Sequence, residues 1–267
     1  MRQLKGVSLT DVQAVYSGPE GQLWELIMGE QIHIGGLTSS MDLADQARIM
    51  PGTKGVDLCC CTGAGMRFLV RFRQVGHMTG VDATAAVIEL GRQRCIQAQV
   101  ADRIDFVLAD VCNSGLPDAT ADFIWGEDAW CYVQDKARLV AEAVRITRPR
   151  GTIAFTDWLE GPKPLSSSEA ERFMRFMKFP TLADLGDYTH LLEANGCEVL
   201  VARDTVRFAR YMDLYLDMLK MQLTYDALRI IGFDKDTMER LAAEMEFTRQ
   251  LAHAGKLIQG IIVARKG

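Results

Sequence analysis

The chain has 267 residues, 48% hydrophobic and 24% charged, with seven prolines and 23 glycines, an ordinary globular composition that excludes disordered and fibrous classes. A formal net charge of −5 gives no basic footprint for nucleic acid, and the length predicts one large domain with an insertion or lid. No apolar run reaches the ~18 residues of a membrane helix, Met1 to Ser8 lack the apolar region of a secretory signal, and seven cysteines without a C-x-x-C pair read as reduced thiols in a soluble, cytoplasmic protein with no metal site.

Residues 1–50 read as a helical cap. Val12, Val15 and Tyr16 open an apolar face that Leu23, Trp24, Ile27 and Met28 continue at helical spacing. Ser39-Ser40-Met41-Asp42 resembles a capping box, which predicts a short helix running to Met50 before Pro51-Gly52. From Lys54 the pattern becomes strand, turn, helix, repeated. Strands are predicted at Gly55–Cys60, His77–Val81, Arg103–Leu108, Asp122–Trp125 and Thr152–Thr156, with helices at about Gly65–Gln74, Ala85–Gln99 and Lys136–Thr147. Residues 51–160 thus form a core with a parallel sheet covered on both faces. Gly161 to Ser168 reads as a linker, and residues 161–180 as a lid or hinge. In residues 181–267, helices at Leu182–Ala194, Phe208–Arg229 and Met238–Ala254 accompany strands at Glu198–Val201 and Leu257–Ala264, so 205–255 is a helical insertion.

Four features recur at matching strand ends. Val56-Asp57-Leu58-Cys59-Cys60-Cys61-Thr62-Gly63-Ala64-Gly65 runs from a strand through a small-residue turn into a helix, where backbone N–H groups can approach a ligand. Gly80-Val81-Asp82 ends the next strand with a carboxylate about 20–25 positions on, placed to accept ribose hydroxyls. Leu108-Ala109-Asp110-Val111 offers a carboxylate and a backbone amide at the third strand end, and Trp125-Gly126-Glu127-Asp128 follows the fourth. An acid at one strand end is more often just solvated. Four in register point to a nucleotide.

These segments, with Arg148-Pro149-Arg150-Gly151 before the fifth strand, resemble the class I S-adenosylmethionine-dependent methyltransferases over roughly residues 54–160. The resemblance implies a Rossmann-like α/β fold, doubly wound and mostly parallel with an antiparallel final strand, in the order 3-2-1-4-5-7-6. It implies S-adenosylmethionine as cofactor, with Asp57, Cys59 and Gly63 at its methionine end, Asp82 on the ribose, Ala83, Asp110 and Val111 at the adenine, and Gly126 near the amino group. The family loop is usually D-x-G-x-G-x-G. Here Cys59 and Cys61 replace its first two glycines, narrowing the cradle.

Glu30-Gln31-Ile32-His33-Ile34-Gly35 resembles a segment of a small-molecule subgroup that contains sarcosine/dimethylglycine N-methyltransferases and sugar O-methyltransferases. The histidine base suspected in the sugar enzymes is matched here by Cys131 and Tyr132. A neutral amine carries its lone pair and needs alignment more than deprotonation, which favours transfer to nitrogen, of the kind found in glycine betaine formation. The expected acceptor site comprises Tyr16, Trp24, His33, Asp128 and Trp130, with Tyr132 and Asp157 as catalytic residues. Tyr16, Trp24 and Trp130 would form an aromatic wall for a methylated ammonium; plain core packing is the competing reading. Arg172, Arg175, Lys178, Arg207 and Arg210 are available to meet an acceptor carboxylate. The alternatives are a C- or O-methyltransferase of a bulkier acceptor and a non-catalytic binding protein of the same fold. A small-molecule acceptor is the partner expected, in a monomer or homodimer, with neither nucleic acid nor membrane.

Overall fold

The computed structural model describes residues 1–267. The chain opens with a two-residue strand, β1 (Arg2–Gln3), and three helices, α1 (Leu9–Tyr16), α2 (Pro19–Met28) and α3 (Gly36–Gln46). Alternation follows with β2 (Lys54–Leu58), α4 (Ala64–Phe72), β3 (His77–Asp82), α5 (Ala85–Gln97), β4 (Ile104–Leu108) and β5 (Ala121–Glu127). A 3₁₀ turn (Trp130–Tyr132) leads to α6 (Lys136–Ile146) and β6 (Thr147–Glu160). Beyond lie α7 (Ser167–Met177), β7 (Thr181–Leu182), α8 (Leu185–Ala194), β8 (Cys197–Asp204), α9 (Phe208–Met221), α10 (Thr224–Ile230), α11 (Lys235–His253) and β9 (Leu257–Lys266).

Seven strands form one sheet in the order β4-β3-β2-β5-β6-β9-β8, which is the expected order once the two short strands are set aside. Strands β2 to β6 pair in parallel, and β9 runs antiparallel to both of its neighbours. The central strands are apolar on both faces because helices cover both. On one face Leu58, Ile124 and Phe155 pack with Leu139 and Val140 of α6 and Leu192 of α8. On the other, Met78, Trp125 and Ile261 meet Leu43 of α3 and Met66 and Leu69 of α4. A third cluster, with Trp24, Trp158, Phe173, Phe208 and Leu251, binds α2, α7, α9 and α11 together beyond the strand ends. No helix is long and apolar enough to cross a membrane.

Three local expectations change. Helix α3 starts at Gly36 with no side-chain cap, so Ser39 and Ser40 lie inside it, fully buried. Their hydroxyls serve distant partners: Ser40 donates to Glu127 (2.6 Å), and Ser39 accepts from Gln259 (3.4 Å). True capping boxes occur at Ser8–Asp11, Ser166–Glu169 and Asp184–Asp187. The predicted helix Phe208–Arg229 is two helices, broken where Leu223 N donates to the carbonyl of Met218. Finally, the first residues form a strap: β1 pairs antiparallel with β7, and Arg2 bonds both carboxylate oxygens of Glu160 at 2.8 and 2.7 Å.

Candidate active site

The turn after β2 is built from unusual backbone. Cys59 N and Cys60 N both donate to Val81 O, at 2.9 and 3.2 Å, which holds the loop against β3. Cys59 (φ 68°) and Cys61 (φ 48°) are left-handed, a region that suits glycine and costs other residues about 1–2 kcal/mol each. The resemblance puts glycines at these two positions, and this is the physical reason. Burial raises the Cys59 thiol and, with Asp82 beside it, pushes Cys61 up to about 12, so neither is a thiolate at neutral pH. Gly63 (φ 73°) caps α4, but a Cβ there would lie 2.8 Å from the Phe106 ring, so it serves packing and does not face the cavity. Gly65 does face it: a Cβ there would sit 2.5 Å from Glu127 Oε2.

A cavity of about 1020 Å³ opens where β2, β3, β4 and β5 end, at the upper end of the roughly 300–1,000 Å³ of ligand pockets. Asp57, Cys59, Asp82, Ala83, Asp110 and Val111 border it together. The Asp82 carboxylate accepts from Cys61 N and Thr84 N, both at 2.9 Å, so one side chain fixes the turns after β2 and β3. Asp110 accepts from Cys112 N at 2.9 Å. Asp57, only 5% exposed, accepts no side-chain hydrogen bond. Burial first, then the charges of Glu127 and Asp82, push its carboxyl well above the usual range. The helical cap closes one wall. Gln13 Nε2 donates to Ala83 O (2.7 Å), the pair Arg94–Glu25 (2.6 Å) docks α2 on α5, and Arg67–Glu30 (2.7 Å) ties the segment after α2 to α4.

Several expected residues lie elsewhere. Trp24 is packed in the helical cluster, 6.4 Å from the Phe176 ring, and does not border the cavity. Trp130 is fully buried and stacked on Phe155 at 4.0 Å. Gly126 makes room for that indole: a Cβ there would meet Trp130 Nε1 at 2.5 Å, so it too points away from the cavity. Asp157 is fully buried, accepts from Cys131 N (2.9 Å) and the Tyr188 hydroxyl (2.6 Å), and is pushed up to about 6 by burial despite nearby Lys136. It braces the 3₁₀ turn rather than reaching the cavity. Of residues 161–180 only Pro180 borders the cavity, while α7 turns Phe173 and Met174 into the core. None of Arg172, Arg175, Lys178, Arg207 and Arg210 borders it; Arg172 pairs with Glu244, Arg175 with Glu171 and Arg207 with Asp42.

Tyr16, His33, Asp128 and Tyr132 do border the cavity. The Tyr16 hydroxyl donates to that of Tyr132 at 2.9 Å, with the rings edge to face, and burial holds both phenols well above their usual range. The Asp128 carboxylate is committed, accepting from Ile34 N (2.8 Å) and Gln259 Nε2 (3.0 and 2.8 Å). His33 Nε2 lies 3.3 Å from both Ser40 Oγ and Glu127 Oε1, and its Nδ1 is buried without a partner. Sequence reasoning placed Glu127 in the fourth strand-end feature but gave it no role; its position two residues after Trp125, on the same strand face, was the signal. The same reasoning missed Lys136, whose buried ammonium donates to Trp130 O (3.0 Å), Val133 O (2.8 Å) and Thr181 Oγ1 (2.6 Å). No local pattern marks either Gln13 or the strap.

Residues 56–155 match the family described as a methyltransferase domain. Phosphoethanolamine N-methyltransferase 3 of Arabidopsis thaliana is 24% identical over 250 residues, covering 91% of this chain and 48% of that protein. The chain thus spans about half the length of the curated relatives it matches. Among solved structures, a Galdieria sulphuraria protein provisionally assigned as a sarcosine dimethylglycine methyltransferase superposes with a TM-score of 0.79 at 22% identity, covering 93% of this chain and 98% of that one. A Haemonchus contortus phosphoethanolamine N-methyltransferase 2, in complex with phosphomonomethylethanolamine and S-adenosylhomocysteine, gives 0.85 at 18% identity over 98% of this chain and 61% of its own. The fold is that of the class I methyltransferases.

Proposed function

We propose that this chain is an S-adenosylmethionine-dependent methyltransferase that methylates an amine nitrogen of a small molecule. The observation that carries the reading is the convergence of Asp57, Asp82, Asp110 and Glu127, from four successive strand ends, on one cavity. The donor set fits the cofactor. Asp57 is a buried carboxylate with no cationic partner, raised by two neighbouring acids, and a ligand bearing an ammonium and a sulfonium supplies the missing positive charge. Asp82, held by two backbone N–H groups, keeps lone pairs for ribose hydroxyls, and Asp110 with Val111 offers an acceptor and a donor for the adenine edge. When bound, S-adenosylmethionine would supply a sulfonium methyl to the amine lone pair, the C–S electron pair staying on sulfur and the surplus proton of the ammonium product going to solvent.

The protein's part is alignment. The Tyr16–Tyr132 pair forms the aromatic edge of the acceptor end, well placed to tolerate an ammonium product. Neither phenol ionises at neutral pH, Asp157 is out of reach, Asp128 is fully bonded and His33 Nδ1 is enclosed. Apart from Glu127, which accepts from Ser40 Oγ and acts on Asp57, no carboxylate or imidazole at the acceptor end is free to take a hydroxyl proton, which supports nitrogen over oxygen. The test is the release of S-adenosylhomocysteine from S-adenosylmethionine with matched amine and alcohol pairs. Turnover of amines alone is expected, rising with pH as the amine loses its proton. Turnover of alcohols alone overturns the nitrogen reading.

A further inference from the structure

We infer that the acceptor is an amine on an apolar body that carries neither a phosphate nor a carboxylate; this rests on the methyltransferase reading above. Past the carboxylate-lined half, the cavity continues under the strap and α1, walled by Leu4, Val7, Val12, Ile32, Val133 and Pro180, with the tyrosine pair at its inner end. An anionic group buried there needs a buried cation to offset its desolvation. Of the cations bordering the cavity only Lys136 is buried, and the Met1 ammonium is paired with Asp187 at 2.7 Å. Lys136 has spent its three protons among three carbonyls and a hydroxyl. Lys5 is exposed on the strap, and Arg138 is exposed at the opposite, adenine end, where its charge acts on Cys112. His33 is already turned to a carboxylate, with its Nε2 3.3 Å from Glu127 Oε1. An entering phosphate or carboxylate would therefore meet net negative charge and apolar walls, whereas an amine on an aliphatic or aromatic body meets charge that suits its nitrogen and surface that suits the rest.

The experiment pairs calorimetry with kinetics on the whole chain. S-adenosylhomocysteine is titrated first. Methyl transfer from S-adenosylmethionine is then measured for phosphoethanolamine, sarcosine and a set of apolar amines such as benzylamine and hexylamine. The expected result is cofactor-product binding, with kcat/KM for the best apolar amine higher by roughly 100-fold or more, the scale of burying one unpaired anion. Binding of S-adenosylhomocysteine with phosphoethanolamine or sarcosine as the better acceptor, or with no apolar amine methylated, overturns the acceptor class and leaves the cofactor reading standing. Failure to bind S-adenosylhomocysteine at all refutes the methyltransferase reading and this inference with it.

Discussion

Replacing the three adjacent cysteines one at a time by glycine is expected to give effects of opposite sign. Cys59 and Cys61 sit at φ 68° and 48°, where an L-residue costs about 1–2 kcal/mol relative to the right-handed region. Glycine removes that cost and gives back about 0.5–1 kcal/mol in extra unfolded-chain entropy. Both thiols are only half-buried, so little packing is lost. Cys59→Gly and Cys61→Gly should each be neutral to stabilising by about 1 kcal/mol, equivalent to about 2–4 °C in Tm for a chain of this size. Cys60 differs: it is absent from the left-handed positions, is 6% exposed, and its Sγ lies 2.6 Å from where a Cβ on Gly80 would stand. Cys60→Gly opens a void and adds the entropy cost with no backbone relief, so it should destabilise by about 2 kcal/mol. Denaturant unfolding of the three variants, each checked for an unchanged m-value, reads these numbers. Equal effects at all three positions would refute the backbone argument. So would a loss of more than about 1 kcal/mol at Cys59 or Cys61.

Other expectations follow from the same geometry. Tyr16→Phe and Tyr132→Phe each break the 2.9 Å hydroxyl contact; each should lower kcat/KM by roughly tenfold, the scale of one buried hydrogen bond. The double variant should be no worse than either single one, and additive losses in that cycle would mean that the hydroxyls act separately. Asp157 has a folded pKa of about 6 against an ordinary 3.8. The folded state therefore keeps a proton that the unfolded chain releases, and this group's contribution to stability is complete below pH 3.8 and lost as pH rises to about 6. Asp157→Asn should flatten the stability curve between those values, and an unchanged slope would show that the carboxyl titrates normally. Gly65→Ala places a methyl 2.5 Å from Glu127 Oε2 inside the cavity, so cofactor-product affinity should fall while the Tm moves by only a few degrees; unaltered affinity would put the ligand elsewhere.

The sheet was legible because its signals are local. Each strand is a short apolar run, and each crossover helix has its own period, so strand ends and their acids could be aligned from the sequence. What failed depended on partners far along the chain. Ser39 and Ser40 carry the pattern of a cap, yet Glu127 and Gln259, 87 and 220 residues away, draw them into a helix interior. The aromatic wall failed for a related reason. Spacing alone does not say how a 3₁₀ turn rotates its residues, and here it sends Trp130 back onto Phe155 while Tyr132, two positions later, reaches the cavity. Asp157 ends its expected strand register inside the sheet because β6 continues to Glu160, three residues beyond it. The strap was invisible because a two-residue strand has no period, and only its pairing with Thr181–Leu182 defines it.

The central claim is that the strand-end cavity holds the methyl donor, and isothermal titration with S-adenosylhomocysteine tests it most directly. The native chain should bind in the micromolar range. Asp82→Ala, which loses the carboxylate bonded to Cys61 N and Thr84 N, should bind more weakly by roughly 100-fold, the loss of charge-assisted contacts worth about 1.5–3 kcal/mol each. An absence of binding by the native chain, or equal affinity in the variant, would contradict the account.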